Sequence, residues 1–384
     1  MEQTTLDYIR RRDYLHGEDN LARVRQNEAQ LRWGRHWDIP PLVTVAIPAY
    51  RRVELLRPAL ESALNQQGET DYQILIVDDD GMEEDESALS PAEELVRQLN
   101  DPRIVYYRNR HNLGLMDNWN MCYWLARSEW VCTLHDDDLL AANFLQKMCA
   151  AVRTHSQMDA VFNLANQFEG EKLDEEGLAR LLAPVPSKTD RLRYQGAWRL
   201  NFGFAAGRTT GSFIRRSAFV ACGGFGRDRQ PGCEDILYND DYVLAVRLFA
   251  NHRCYILPQN IYGYRIGANN GSARVKDYLP DIVQEYYLGR QLSARQCVLW
   301  RWLFYKKNKY RAIEMANQLN ALVEGGGSRM NKEAVVDMEQ LRVACGFASL
   351  RCSPAGQWLL ERLWRGYSLA HRLADQRKSL PLEC

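Results

Sequence analysis

Two short apolar runs in this chain each end in a cluster of carboxylates. Ile74 to Val77 runs into Asp78, Asp79, Asp80 and Gly81, and Trp130 to Leu134 runs, after His135, into Asp136, Asp137 and Asp138. Runs this short and this rich in Val, Ile, Trp and Thr read as buried strands. The acids are then delivered to strand ends, the edge at which open α/β sheets bind their ligands. If the two strands are parallel, both clusters lie along one rim. Three adjacent like charges repel one another, and a divalent cation or a proton offsets that cost where the loop is partly closed from water. A metal carrying a phosphate ligand is one reading; a solvated acidic turn, in which Asp is common anyway, is the other.

The chain has 384 residues, 46% of them hydrophobic, enough for one sizeable domain with an appendage. The formal net charge is zero, so no global basic field argues for nucleic acid. Residues 1 to 20 mix acids with arginines and lack the apolar core of a signal peptide, which places the expected protein in the cytoplasm. Ten cysteines show neither a Cys-x-x-Cys pair nor zinc spacing, so reduced packing thiols are expected rather than disulfides. No stretch has the roughly 18 consecutive apolar residues of a spanning helix, and any membrane contact is expected to be peripheral.

Residues 5 to 37 read as a charged, helical lead-in without a catalytic part, closed by Pro40-Pro41. Val43 to Ile47 is the first expected strand, followed by a helix with Leu56, Leu60, Ala63 and Leu64 on its apolar face. Pro58 requires that helix to begin no earlier than about Val53 to Glu54. Further strands are expected at Ile104 to Tyr107 and Trp130 to Leu134, with a helix over Trp119 to Ala126 between them. The alternation predicts a doubly wound α/β layer to about residue 165. Glu169 to Arg199 reads as a loop with a short helix, and Ser212 to Arg215 as another strand. Tyr242 to Phe249 reads as a helix with Asp240 and Asp241 at its start, where they serve either as ordinary caps or as functional acids.

Taken in order, these segments resemble a family. Val43-Thr44-Val45-Ala46-Ile47-Pro48-Ala49-Tyr50, then Ile76-Val77-Asp78-Asp79, then Asn112-Leu113-Gly114 with Asn118-Trp119-Asn120, then Leu134-His135-Asp136-Asp137-Asp138, resemble the inverting family 2 glycosyltransferases of the GT-A fold, in the type that builds bacterial surface polysaccharide. The resemblance covers roughly residues 42 to 270. It implies a GT-A domain over 42–280; outside the resemblance, residues 1–41 read as a helical lead-in and 281–384 as a helical C-terminal region. It further implies a nucleotide-sugar donor, with UDP the expected nucleotide and a guanine donor the alternative. Pro48, Ala49, Tyr50, Asp78, Asp79, Asn112, Asn118, Asp136, Asp137 and Arg265 would contact that donor. Asp136 and Asp138 would hold Mn²⁺ or Mg²⁺ on the diphosphate, and Asp241 would be the base, with Asp240 or Asp235 as fallback. Many relatives carry a histidine shortly after the arginine of the last segment; Arg265-Ile266-Gly267-Ala268 has none.

Beyond about residue 280 two basic, aromatic stretches, Leu299 to Arg311 and Gln357 to Lys378, flank a Gly325-Gly326-Gly327-Ser328 linker. They fit either helices on the inner membrane surface or packing on the domain or a second subunit. The expected acceptor is a saccharide, and on the membrane reading a lipid-linked one. Two other functions remain as alternatives: a sugar-phosphate nucleotidyltransferase, which would need a glycine-rich loop where this chain has Pro48-Ala49-Tyr50-Arg51-Arg52, and a non-catalytic glycan-binding relative.

Overall fold

A computed structural model describes residues 8–9, 11–82, 87–169, 175–185, 191–195, 209–226 and 240–267, with isolated positions from 284 to 291 and from 362 to 381. Its strands are β1 (Ala29–Trp33), β2 (Val43–Ala49), β3 (Tyr72–Asp78), β4 (Ile104–Asn109), β5 (Trp130–Thr133), β6 (Leu139–Leu140), β7 (Ala160–Glu169), β8 (Arg191–Gln195), β9 (Phe213–Arg215), β10 (Cys254–Ile266) and β11 (Leu380–Pro381). Its helices are α1 (Leu21–Val24), α2 (Val53–Leu64), α3 (Pro91–Leu99), α4 (Leu115–Leu125), α5 (Phe144–Thr154), α6 (Glu175–Leu182), α7 (Arg216–Ala221) and α8 (Asp240–Asn251).

The strands join in the order β1-β4-β3-β2-β5-β9-β7-β10-β8-β11. β4, β3, β2 and β5 are mutually parallel, whereas β1 and β9 run antiparallel to their neighbours. The α/β class expected from the alternation therefore forms, with a mixed sheet. Successive residues of the central strands feed two separate cores. Val45, Ile47, Ile74 and Ile76 pack beneath α2, α3 and α5, while Ala46, Leu75 and Val77 pack beneath α4, α7 and α8. Burial on both faces explains why these strands read as continuous apolar runs without alternation.

The lead-in differs from its expected form. After α1 it becomes β1, which pairs antiparallel with β4, and Tyr14, Leu15, Leu21 and Val24 are part of the second core. Helix α2 starts at Val53, within the expected bound, with Pro58 in its second turn. The missing bond there falls to the carbonyl of exposed Glu54, which water can satisfy. The segment over 169–199 contains α6 as expected, and also β8. Helices α3 and α5 and strands β7 and β10 complete the layer beyond the elements read from the sequence. Cys122, Cys132, Cys149, Cys222 and Cys254 are free thiols, all buried. Among the described residues no helix is long and apolar enough to cross a membrane. The stretch at 299–311, the Gly-Gly-Gly-Ser segment at 325–328 and Asp235 lie outside the described residues.

Candidate active site

The parallel register levels the two acid-bearing ends. Ala49 lies opposite Asp78, Ala46 opposite Thr133, and the Asp79 and Leu134 amides both donate to β2 carbonyls at 2.9 Å, Ala49 and Ala46 respectively. Both acidic loops thus leave the sheet at one edge. A cavity of about 370 Å³ opens between them, lined by Ala49, Arg51, Arg52, Asp78, Asp80 and Asp136, with Val53, Leu56 and the start of α3 as its apolar wall.

The first cluster divides its labour. Asp78 is buried; its Oδ2 accepts from Tyr106 OH at 2.6 Å and Ser90 Oγ at 2.7 Å, and its Oδ1 from the Asp80 amide at 3.0 Å. Burial raises its pKa, against those hydrogen bonds. Asp79 points the other way: Oδ1 accepts from the Leu113 amide and Asn109 Nδ2, each at 2.8 Å, and Oδ2 from the Gly114 amide at 3.0 Å. Burial pushes it up to about 7, with the three donors pulling down. Asn112 Nδ2 donates to the Asp79 carbonyl at 3.0 Å, and Asn118 Nδ2 to the Val77 carbonyl at 3.1 Å. Asp79, Asn112 and Asn118 thus build the loop around the start of α4, while Asp78 and Asp80 reach the cavity wall.

In the second cluster the three carboxylates face different partners. Arg52 donates from Nε to Asp136 Oδ2 at 3.2 Å and from Nη1 to Asp137 Oδ2 at 3.1 Å, and its Nη2 also meets Asp136 Oδ1. Burial pushes Asp136 up to about 7 although Arg52 works against it. The fully buried Asp138 accepts from Tyr262 OH at 2.6 Å through Oδ2 and from the Arg265 amide at 2.8 Å through Oδ1. Both donors arrive on β10. Gly211, at φ +69°, makes that approach possible, because a Cβ there would lie 2.2 Å from the Tyr262 ring. Arg265 also donates from Nε to the Asp137 carbonyl at 2.7 Å and stacks over Phe168.

Ligand atoms of His135, Asp137 and Asp138 lie within 4.8 Å of one another. Two carboxylates and an imidazole suit Mn²⁺, and with less imidazole participation Mg²⁺, so the residues present fit the metal that the resemblance implies. Of the expected Asp136–Asp138 pair, Asp138 is in this grouping and Asp136 is not, while Arg52 meets both Asp136 and Asp137. His135 is held by Trp119 at 4.6 Å between ring centroids, and Trp119 meets Phe225 edge-on at 5.1 Å. Trp119 is therefore packed between the His135 ring and the Gly223-Gly224-Phe225 loop.

Of the remaining expected residues, Pro48 and Ala49 are buried in β2, and Tyr50 is 43% exposed at its end, under the Arg51 guanidinium. Arg51 adopts φ +52° and pairs with Asp80 at 2.7 Å. Asp240 and Asp241 open α8, as read from the sequence. Asp240 is buried against Arg12, and half-buried Asp241 accepts from the Tyr242 amide at 2.7 Å. Sequence reasoning passed over Arg52, Tyr106 and Tyr262. For Tyr262 the Tyr-Gly-Tyr-Arg segment was a signal, whereas nothing local marks Tyr106 as a carboxylate partner.

Over part of its length the chain is similar to known proteins. The succinoglycan biosynthesis protein ExoO of Rhizobium meliloti is 31% identical over 235 residues, 60% of this chain and 62% of that one. A GalNAc(5)-diNAcBac-PP-undecaprenol beta-1,3-glucosyltransferase of Campylobacter jejuni is 28% identical over 144 residues, 35% of this chain and 45% of that one. Across six curated relatives that it matches, the chain spans 31% to 62% of their lengths. Among solved structures, S. aureus TarS with UDP-GlcNAc aligns at a TM-score of 0.48 and 14% identity, over 68% of this chain and 70% of that one. The stretch carrying both acidic loops and Asn118-Trp119, residues 44–220, matches the family model of Glycosyl transferase family 2.

Proposed function

We propose that this chain is an inverting, metal-dependent glycosyltransferase of family 2. It moves a sugar from a nucleotide-diphosphate donor, UDP being the expected nucleotide, to a hydroxyl of a saccharide acceptor in surface-polysaccharide assembly. The observation that carries the reading is the convergence of two strand-end acidic loops on one cavity, inside the stretch that matches the family model. The acceptor is proposed to be lipid-linked, in keeping with the undecaprenol-linked substrate in the name of the Campylobacter relative. Exposed Leu369 and Leu373, in a basic stretch that also holds exposed Arg362 and Arg377, support a peripheral contact with the inner membrane surface.

In the reaction the acceptor oxygen attacks the anomeric carbon and forms the new glycosidic bond. The bond from that carbon to the diphosphate breaks, and its electron pair leaves with the nucleoside diphosphate. The acceptor proton passes to the Asp241 carboxylate, a transfer worth roughly 10²- to 10⁴-fold in rate. A single displacement inverts the carbon. The cavity wall of Ala49, Asp78 and Asp80 takes the nucleoside, and Arg52 and Arg265 face the diphosphate with forked donors. Asp138 with Asp137, Asp136 or His135 would hold Mn²⁺ or Mg²⁺, which when bound would supply Lewis-acid stabilisation of the leaving diphosphate.

A panel of nucleotide sugars with Mn²⁺ tests this, following donor turnover and thermal shift in the wild type, Asp138→Ala and Asp241→Asn. Metal-dependent turnover of one donor is expected, lost in both variants, with nucleotide binding retained in Asp241→Asn. Absence of binding and turnover for every donor would sink the reading.

A further inference from the structure

The two acids that open α8 have different surroundings. Asp240 is 1% exposed and both its oxygens are engaged by one guanidinium, Arg12 Nη1 to Oδ1 at 2.6 Å and Nη2 to Oδ2 at 2.9 Å. Arg12 stands 228 residues earlier in the chain and is itself 3% exposed. Its Nη1 also donates to Gln284 Oε1 at 2.6 Å, and its guanidinium lies 5.5 Å from the ring centres of Tyr8 and Tyr14. In such a pair, removing either partner leaves a buried charge without its counterpart.

The same N-terminal stretch is tied to α8 and to the 223–226 loop at further points. Arg247 is seven residues beyond Asp240 and so on the same face of the helix. It donates to the carbonyl of Tyr14 at 3.3 Å and to those of Cys222 and Gly224 at 3.4 Å. The Asn20 amide donates to the Gly223 carbonyl at 3.0 Å. Gly226 abuts the ion pair itself: a Cβ there would lie 1.9 Å from Asp240 Oδ2 and 2.3 Å from Arg12 Nη2. Beside it, Phe225 exchanges backbone hydrogen bonds with the Asn120 amide group and packs on Trp119, which carries the contact to His135.

From this geometry we infer that Arg12 is a positioning residue for Asp241. By gripping both oxygens of Asp240 it fixes the first turn of α8 and the 223–226 loop. Asp240 is therefore an anchor, buried and with both oxygens engaged by Arg12. The inference rests on Asp241 as the base of the reaction proposed above, and it gives the lead-in a part in that reaction.

The test uses the full chain as Arg12→Met, Arg12→Lys, Asp240→Asn and the double variant Arg12→Met/Asp240→Asn, with the exposed Arg25→Ala as control. Hydrogen exchange is read at the amides of residues 224–226 and 241–244, alongside UDP-sugar turnover and the thermal shift given by UDP with Mn²⁺. In Arg12→Met, exchange at those amides is expected to rise about tenfold or more while β2 and β3 stay as in the wild type. Turnover is expected to fall about 10²-fold, as for a misplaced catalytic group, with the UDP and Mn²⁺ shift unchanged. The double variant should lose no more than the single ones, because the two residues act as one unit. If Arg12→Met does not fold, Arg12→Lys, which keeps the charge and loses the fork, is read at the same amides. Unchanged exchange in a folded Arg12 variant overturns the inference, as does a further loss when Asp240→Asn is added, which would mark Asp240 as the base. A wild type that turns over no nucleotide sugar counts against the proposed function instead, and the exchange data then decide the positioning alone.

Discussion

Removing Arg52 separates a structural ion pair from a cation standing in for a metal. Arg52 faces Asp136 and Asp137, whose side chains are 4% and 9% exposed, while its own is 29% exposed. Breaking a fully buried pair costs about 3–5 kcal/mol. The guanidinium's partial contact with water reduces that to about 2 kcal/mol for Arg52→Ala, within the range of about 1.5–3 kcal/mol for hydrogen bonds to charged groups. For a chain of this size such a loss lowers Tm by about 2–3 °C. Mn²⁺ at a hundred times its Kd returns about 2.7 kcal/mol to whichever protein binds it. In the wild type the ion must compete with Arg52 for Asp136 and Asp137; in Arg52→Ala both carboxylates are open to it. The Mn²⁺-induced rise in Tm should therefore be larger in the variant, by about the 2–3 °C that it lost. Thermal melts with EDTA, then with a Mn²⁺ series, measure this, and Asp138→Ala should abolish the rise in either background. Equal Mn²⁺ responses in wild type and Arg52→Ala would refute the reasoning, since a purely structural pair costs stability without altering the response to metal.

Tyr262→Phe removes the 2.6 Å donor to Asp138 with little change of shape. It should cost about 1.5–3 kcal/mol in denaturant melts and raise the Mn²⁺ concentration needed for half the thermal response. Gly211→Ala should do more harm than Tyr262→Phe, since it adds a Cβ 2.2 Å from that ring at a left-handed φ of +69°; a smaller loss would mean the ring moves freely. For pH, burial raises Asp79 from the ordinary 3.8 to about 7, so the folded state favours its protonated form. That contribution is complete below about pH 4 and lost as pH rises through about 7. The stability of wild type relative to Asp79→Asn should accordingly fall between about pH 5 and 8. Half-buried His36, whose pKa burial lowers, acts in the opposite direction but is common to both proteins and cancels. A flat difference would show that Asp79 keeps one charge state throughout.

What the sequence revealed was delivery of charge, and what it hid was compensation. Runs such as Ile74 to Val77 are apolar because both faces are covered, and their ends carry the acids, so the site's edge was legible from two short segments. Which acid faces which way was not. Asp78 meets Tyr106 and Ser90 while its neighbour Asp79 meets the Leu113 and Gly114 amides, a division that depends on β4, α3 and α4 being in place. In the lead-in, Ala29, Leu31 and Trp33 recur at period two in the sequence, but their burial does not alternate: Leu31 is exposed and the register with β4 shifts between Leu31 and Trp33, so the strand carried no clean local signal. Arg12 and Asp240, 228 residues apart, left no local trace at all.

That hidden compensation bears on how the site works. Asp80 is paired with Arg51, Asp136 and Asp137 with Arg52, and Asp138 with a tyrosine hydroxyl and a backbone amide. The acidic edge is stable before any ligand arrives because the fold supplies these partners. On the proposed reading, Asp136 and Asp137 would exchange Arg52 for a dication, and the Arg52 guanidinium, with its forked donors, would be free to meet the oxygens of a diphosphate. Donor and metal should accordingly bind with positive coupling, each displacing part of what opposes the other. Mn²⁺ should tighten UDP and UDP should tighten Mn²⁺ by the same factor in calorimetric titrations of the wild type. In Arg52→Ala, where nothing needs to be displaced, that factor should shrink; an unchanged factor would place the coupling elsewhere in the site.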